Sequence, residues 1–314
     1  MLPSRSALLV VLLAASAPAG ADPAASLVFI NGQPTPVLFN DGDSFRVLDG
    51  PHRGMRTRLA GFNALEAHGP VHQWGSWTPE ELYVLAKMAT LQARRGVWHC
   101  TIQDRPDGYG RTLLWCPDLA ETQVRSGLAH VLSVTDEPGD PVLLRAQREA
   151  MQARRGLWAH GVPPFLLTSL HSREEDTEGR GTFNRLVSTA DGHSVPWVHH
   201  EQYAECTRIC HRQYPSNPET EARLLERLRA DPAASPEVRQ ASVEELRAAI
   251  HMYVRYRVLG RPVRQALREP LRQLLERYRD AGALGSDPGQ ETSCMYHVPF
   301  QRRYGPLRAA CLIK

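Results

Sequence analysis

The sequence predicts an α+β fold: a five-stranded β-barrel with about three helices, followed by a mainly α-helical C-terminal domain. Three observations lead there. Short runs of strand character, punctuated by Gly, Asn, Asp and Pro, crowd residues 26–116. A well-capped amphipathic helix interrupts them. From His199 onward, long stretches of helical periodicity end in glycine or Asp-Pro signals. A chain of 314 residues has room for two domains of ordinary size.

Taken in order, "SLVFI", "NG" and "PVLF" read as a hairpin. "SFRVLD" and "MRTRLAGF" are two further strands joined through "GPHRG". "VWHCTI" and "TLLWC" make another pair, so a small barrel follows. The intervening helix spans Thr78 to about Arg94. Thr78 is its cap, Pro79 its first residue, and Glu81 completes a capping box. A second helix is expected from Asp118 through "DLAETQVRSGLAHV". A third starts at Asp140 and runs toward "RRGLW", with Arg154 and Arg155 in its last turn. The first domain is therefore set at residues 26–160. Residues 161–196 form a connecting region with a candidate hairpin around Asp191-Gly192, and residues 197–314 form a disulfide-tied helical domain.

Composition excludes several classes. Charged residues are 23% and the hydrophobic set 42%, which fits a folded globular chain and not a disordered one. Net charge is only +3, and Lys87 and Lys314 are the sole lysines, so the basic side chains are almost all arginine, the residue suited to bidentate grip on phosphate. Residues 1–21 read as a cleaved signal peptide: Arg5, an apolar run, then "AGA". That run is short for a membrane span. The expectation is export to the periplasm or beyond, with no membrane and no obligate protein partner. In that setting six cysteines point to disulfides. Cys100 and Cys116 are symmetric about Gly108 and face one another if the segment is a hairpin. Cys206, Cys210, Cys294 and Cys311 then form two more bridges, tying a helix that carries the first two to the tail. The rival reading of "HHEQYAECTRICH" is a zinc site through His199, His200, Cys206, Cys210 and His211, although its spacing is not that of a standard finger.

The chemistry-bearing residues gather in the first domain. "DGDSF" offers Asp41 and Asp43 at a strand mouth. "RLAGFNALE" offers Arg58, Asn63 and Glu66. "DGYGR" adds Tyr109 and Arg111 beside a glycine-rich turn. In order and spacing, "DGDS", "RLAGFNALE", "DGYGR", "VRSGLAHV" and "RRGLW" resemble the staphylococcal nuclease family, whose barrel is an OB-fold, over about residues 38–158. The resemblance implies hydrolysis of phosphodiester bonds in DNA, with RNA as a second substrate, and a calcium or other divalent cofactor. It assigns Asp43, Asn63 and the backbone carbonyl of Ala64 to the metal, with Asp41 as a weaker candidate. Glu66 becomes the base that activates water, and Arg58 and Arg111 the clamps on the transition state. Tyr109 becomes a substrate contact.

The same chemistry is sound on general grounds: a hard cation suits oxygen ligands, a carboxylate can deprotonate water, and guanidinium forks hold phosphate oxygens. Departures from the family pattern are Asn63 for an aspartate, Gly108 for a lysine, and Ser133 and Thr135 for two pocket tyrosines. They motivate the alternative, a nuclease-like barrel that only binds nucleic acid or protein. Arg58 and Asn63 are five residues apart, about 16 Å in an extended strand, so sharing one phosphate needs a curved strand and a long side chain. His68 and His72 follow Glu66 as loop residues or proton carriers. Trp74 and Trp77 are loop residues or base-stacking platforms.

Overall fold

The computed structural model describes residues 26–312 apart from Arg105, Thr177, Glu178 and Arg180; the predicted signal peptide lies outside the described residues. Strands β1 (Ser26–Ile30), β2 (Gln33–Asp41) and β3 (Ser44–Val47) run antiparallel in a meander. Then come β4 (Thr57–Leu59), β5 (Gly61–Ala64), β6 (His72–Gln73), helix α1 (Pro79–Arg95), β7 (Trp98–Ile102) and β8 (Thr112–Trp115). One six-stranded sheet has the order β3-β2-β1-β7-β8-β4. Its ends approach each other: Leu59 N–H donates to the Asp43 carbonyl at 2.9 Å, and Arg46 bridges Arg56. The sheet is thus a nearly closed barrel. Alternate residues Val28, Ile30, Val37, Phe39, Phe45 and Val47 fill it.

The sheet has six strands, one from each of the six quoted runs, and "MRTRLAGF" is itself two strands, of which only the first joins that sheet. Gly61 has φ +88°, and a Cβ there would meet Trp115 Cζ3 at 2.4 Å. Only glycine takes that conformation against that ring. The chain turns, β4 joins β8, and β5 pairs with a further strand, β9 (Ala129–Leu132). That strand corrects the second helix. Helix α2 covers Pro117–Arg125 only; Gly127 at φ +68° ends it, its carbonyl accepts from Leu157 N–H, and "AHVL" is buried on both faces as β9.

Helix α1 has the capping box of Thr78 and Glu81 and buries Leu82, Ala86, Ala89 and Ala93. Helix α3 (Pro141–Gln152) is capped by Asp140 and stops before Arg154, which has φ +50°. Arg154 and Arg155 therefore lie beyond the last turn and not in it.

Residues 161–196 are more than a connection. β10 (Phe165–Ser169), β11 (Thr182–Ser188) and β12 (Ser194–His199) form a three-stranded antiparallel sheet, and Asp191-Gly192 lie in the β11–β12 hairpin. The C-terminal region is not helical throughout. β13 (Arg208–Gln213) precedes α4 (Pro218–Ala230), α5 (Pro236–Gln240), α6 (Val243–Tyr256) and α7 (Gln265–Asp280), and β14 (Gln290–Tyr296) follows them. The helices share their own apolar core, including Leu228, Ile250, Tyr253, Leu271 and Leu275. β14 pairs with β13 on one side and with β6 of the first domain on the other. The tail is therefore stitched by backbone hydrogen bonds to the loop that follows Glu66.

Disulfides join Cys100 to Cys116, Cys206 to Cys311, and Cys210 to Cys294. Cys210 lies on a strand opposite Cys294 and Cys206 in the turn before it, so neither bridge starts from a helix. The bridges are compatible with an oxidising compartment. Among the described residues, no helix is long and apolar enough to cross a membrane.

Candidate active site at the barrel mouth

The "DGDS" turn sits where β2 meets β3. Asp41 Oδ1 accepts from Ser44 Oγ at 2.7 Å and from Asp43 N–H at 3.3 Å, which folds the turn on itself. Gly42 lets it lie against α1 and β5: a Cβ there would be 2.7 Å from the Ala64 Cβ and 2.8 Å from that of Ala89. Asp43 consequently points inward, 1% exposed. Its Oδ2 accepts from Ala64 N–H at 2.7 Å, and its Oδ1 accepts from Arg58 Nη1 at 2.5 Å. The other terminal nitrogen of Arg58 donates to Asn63 Oδ1. One guanidinium thus spans Asp43 and Asn63. The 16 Å separation expected for a continuous strand does not apply, because the chain turns at Gly61 and the long Arg58 side chain reaches Asn63.

Asn63 is nearly enclosed. Its Nδ2 donates to the Ala64 carbonyl at 2.9 Å and faces His130 Nε2 at 3.3 Å. His130 Nδ1 lies 2.9 Å from the Val131 carbonyl, which assigns the ring proton to Nδ1 and leaves Nε2 as an acceptor. Burial holds His130 down to about 4, so it is neutral near pH 7. An asparagine supplies the donor that this neutral imidazole requires, and an aspartate would not.

Glu66 follows β5 in a partly exposed loop position. Burial raises its carboxyl above the ordinary range, Asp41 adds to that, and Arg58, Arg303 and Arg111 pull against it. Asp43 is also raised, first by burial and then by Asp41 and Glu66, with Arg58 and the Ala64 N–H opposing. Three carboxylates crowd one end of the barrel, where more positive charge would be welcome.

Arg111 begins the approach to β8. Its Nε donates to Asp107 Oδ2 at 2.7 Å, while Asp107 Oδ1 accepts the backbone N–H groups of Tyr109 and Arg111, each at 2.9 Å. Burial acts against the Asp107 carboxylate, but the backbone and side-chain hydrogen bonds from Arg111 hold it below its usual range. Tyr109 stands in solvent, 70% exposed, with the Arg111 guanidinium 5.7 Å from its ring centre.

Other expectations fare differently. Trp74 and Trp77 both donate Nε1 to the Leu157 carbonyl, at 3.3 and 3.0 Å, and so pin the loop; Trp74 is buried and offers no stacking face, while Trp77 is half-buried and edge-on to His160. His72 is buried on β6 and held down to about 3 by burial, unlike an open loop residue. His68 is exposed, with Nε2 3.1 Å from the Asn40 carbonyl. Ser133 and Thr135 bond one another at 2.9 Å. The zinc reading fails because both of its sulfurs are in disulfides, while His211 Nε2 bonds the Tyr256 carbonyl and His199 bonds Asn184.

Residues the sequence did not single out also belong here. His130 was hidden inside the expected helix. Asp107 belongs to the "DGYG" turn, and Arg303 and Tyr304 lie some 240 positions from Glu66 in the chain. The only signal for that last pair was the "RRYG" stretch itself.

A nearly closed barrel thus carries aspartates and an arginine ion-paired at one end. The chain belongs to the staphylococcal nuclease homologue family, whose model matches residues 56–160; the rest of the chain lies outside that domain. Asp41 and Asp43 fall just before the matched span. The chain is similar to a protein named "Uncharacterized endonuclease" from Escherichia coli O157:H7, with 34% identity over 144 residues, covering 44% of this chain and 84% of that one. A protein of the same name from Escherichia coli matches equally. Family and relative together support a nuclease.

Proposed function

We propose that this protein is an exported, divalent-metal-dependent endonuclease that hydrolyses phosphodiester bonds in DNA, with RNA as a second substrate. The observation that carries the reading is the convergence of Asp41, Asp43, Arg58, Glu66 and Arg111 on one end of the barrel. The disulfides and the predicted signal peptide support export.

The oxygens of Asp43, Asn63 and the Ala64 carbonyl, with Asp41 beside them, form an all-oxygen set that fits a hard cation such as calcium. Asp43 Oδ1, Asp43 Oδ2 and Asn63 Oδ1 each accept one of these hydrogen bonds and retain a second lone pair, while Asp41 Oδ1 already accepts two. A bound cation would polarise the phosphate and lower the pKa of a water. Glu66, raised by its surroundings, accepts the proton of the attacking water. Arg58, anchored on Asp43 and Asn63, and Arg111, aimed by Asp107, meet the charge that builds on the equatorial oxygens. Tyr109 lies beside Arg111 as a substrate contact.

The test is digestion of single-stranded DNA with calcium, with other divalent ions and with chelator, by wild type and by Glu66→Gln. Loss of the base lowers kcat by roughly 10²- to 10⁴-fold. A folded wild type that cuts under none of these conditions refutes the proposal. A second reading has one observation in its favour: Arg58 already holds an oxygen of both Asp43 and Asn63. A barrel locked in that state would bind nucleic acid without cutting it, with affinity that falls as salt rises.

A further inference from the structure

The three exposed aromatic side chains among the described residues are Tyr109, Phe300 and Tyr304, at 70%, 65% and 58% exposure. Isolated exposed apolar groups are ordinary, but these are not scattered. Tyr109 stands at the Arg111 side of the barrel mouth. Tyr304 stands on the Glu66 side: its ring centre is 6.2 Å from that of His68, two residues past Glu66, and His68 in turn meets the Asn40 carbonyl next to Asp41. Phe300 lies edge-on to Tyr304 at 6.1 Å, and the Arg303 guanidinium sits 5.8 Å from the Phe300 ring centre.

The segment that carries these groups is held firmly. Tyr296 N–H donates to the Val71 carbonyl at 3.0 Å. Val298, Ala309 and Leu312 share a small buried core with Val71. Arg302 Nε pairs with Glu205 at 2.7 Å, Arg303 Nε bonds the Val298 carbonyl at 3.1 Å, and Cys311 is bridged to Cys206. A small cleft remains between this segment and the first domain, lined by His68, Gly69, Tyr83, Arg303 and Arg308. Lys87 of α1 lies against Tyr83, 5.0 Å from its ring centre, and the charges of Lys87 and Arg94 reach His68. The charge of Arg303 reaches Glu66. The cleft rim is therefore cationic and aromatic, and it continues from the carboxylate centre.

We propose that the C-terminal segment 300–308, which lies outside the nuclease-family domain, forms a wall of the nucleic-acid site, with Tyr304 as a stacking platform for an unpaired nucleobase and Arg303 as a phosphate contact. A rigid aromatic face beside a guanidinium, next to a phosphate-handling centre, is the combination that holds single strands. The role rests on the nuclease reading of the barrel, and it predicts that single-stranded substrate is preferred, since a paired base offers no free face. Ser133 and Thr135, spent on each other, supply no ring of their own.

The test separates the two proposals. A fluorescein-labelled oligothymidylate is titrated by anisotropy into the full mature chain carrying Glu66→Gln, in chelator, so that turnover is suppressed. Adding Tyr304→Ala weakens binding by roughly 5- to 150-fold, the measured range for loss of one stacked base; Tyr304→Phe restores it. Arg303→Ala lowers the slope of log affinity against log salt by about 0.7. With active protein, Tyr304→Ala raises KM for single-stranded DNA and leaves kcat nearly unchanged. Circular dichroism and a count of free thiols verify that each variant keeps its fold and bridges. Equal affinity of Tyr304→Ala and its parent overturns the stacking role, as does a Tyr304→Phe variant as weak as the alanine. If wild type cuts and Tyr304→Ala matches it in KM, only the tail proposal falls. If wild type does not cut, the nuclease reading falls and the binding titration still decides the tail.

Discussion

Replacing Asn63 by Asp is the most revealing single change, because the surrounding hydrogen bonds state what it should cost. Asn63 is 7% exposed. Its Nδ2 serves the Ala64 carbonyl at 2.9 Å and His130 Nε2 at 3.3 Å. In Asn63→Asp the second oxygen confronts two acceptors. Each buried partner left unpaired costs roughly 1–3 kcal/mol. The new charge strengthens the bond from Arg58, since a charged hydrogen bond exceeds a neutral one by about 1 kcal/mol. Without metal the net is a loss of about 3 kcal/mol, which for a domain of this size is a fall in Tm of roughly 10 °C.

The added carboxylate should also strengthen calcium binding. At a calcium concentration of about 100 times the variant's Kd, linkage stabilises the variant by about 2.7 kcal/mol over its metal-free form, and wild type, binding more weakly, gains less at the same concentration. The assay is differential scanning fluorimetry of both proteins in chelator and across a calcium titration. The variant should melt well below wild type in chelator and gain the larger increment from calcium. An unchanged Tm in chelator refutes the account of Asn63 and His130. Equal calcium increments in the two proteins show that Asn63 is not a ligand.

Two further outcomes are expected. The Cys210–Cys294 bridge lies inside the ring already closed by Cys206–Cys311, so it adds only a short effective loop, and Cys210→Ser with Cys294→Ser should lower stability to urea by about 3 kcal/mol; a loss under about 1 kcal/mol would contradict this. His211, its ring nitrogens facing the Tyr256 carbonyl and Thr292 Oγ1, is held down to about 4 by burial. The folded pKa lies below the unfolded value near 6.5, so the unfolded chain binds the extra proton between those limits. Stability from this group is complete above 6.5 and falls by about 3 kcal/mol as pH drops to 4. Urea midpoints measured across that range should decline, and His211→Gln should flatten the decline; an identical slope in the variant would exclude this histidine as its source.

The periodicity of "TPEELYVLAKMA" made α1 legible, since its cap and apolar stripe are local. The same logic failed at "GLAHV". Its residues suit either helix or strand, and the outcome depends on β5 offering an edge and on Gly127 ending α2. At "RLAGF" one glycine at positive φ cut a strand in two, a decision made by the Trp115 ring 54 residues away in the chain. Cys206 and Cys210 have helical spacing, yet Cys210 lies on β13 because β14 was there to pair with it.

The candidate site divides along the same line. Asp43, Arg58, Glu66 and Arg111 were readable as a motif, because each side chain's chemistry and its order along the chain are properties of the sequence. The partner each one keeps was not. That Arg58 bridges Asp43 and Asn63, that a neutral His130 makes an amide the right residue at position 63, and that a disulfide-anchored tail brings Tyr304 against His68 and the charge of Arg303 within reach of Glu66 depend on the approach of distant segments. Hydrogen bonds and ring contacts act over a few ångströms, and which segments come that close is decided by the packing of the whole chain. By itself the sequence determined the family, the helices with local caps and the chemical inventory of the barrel mouth. The tertiary structure alone decided what surrounds that inventory and therefore how each group is charged and held.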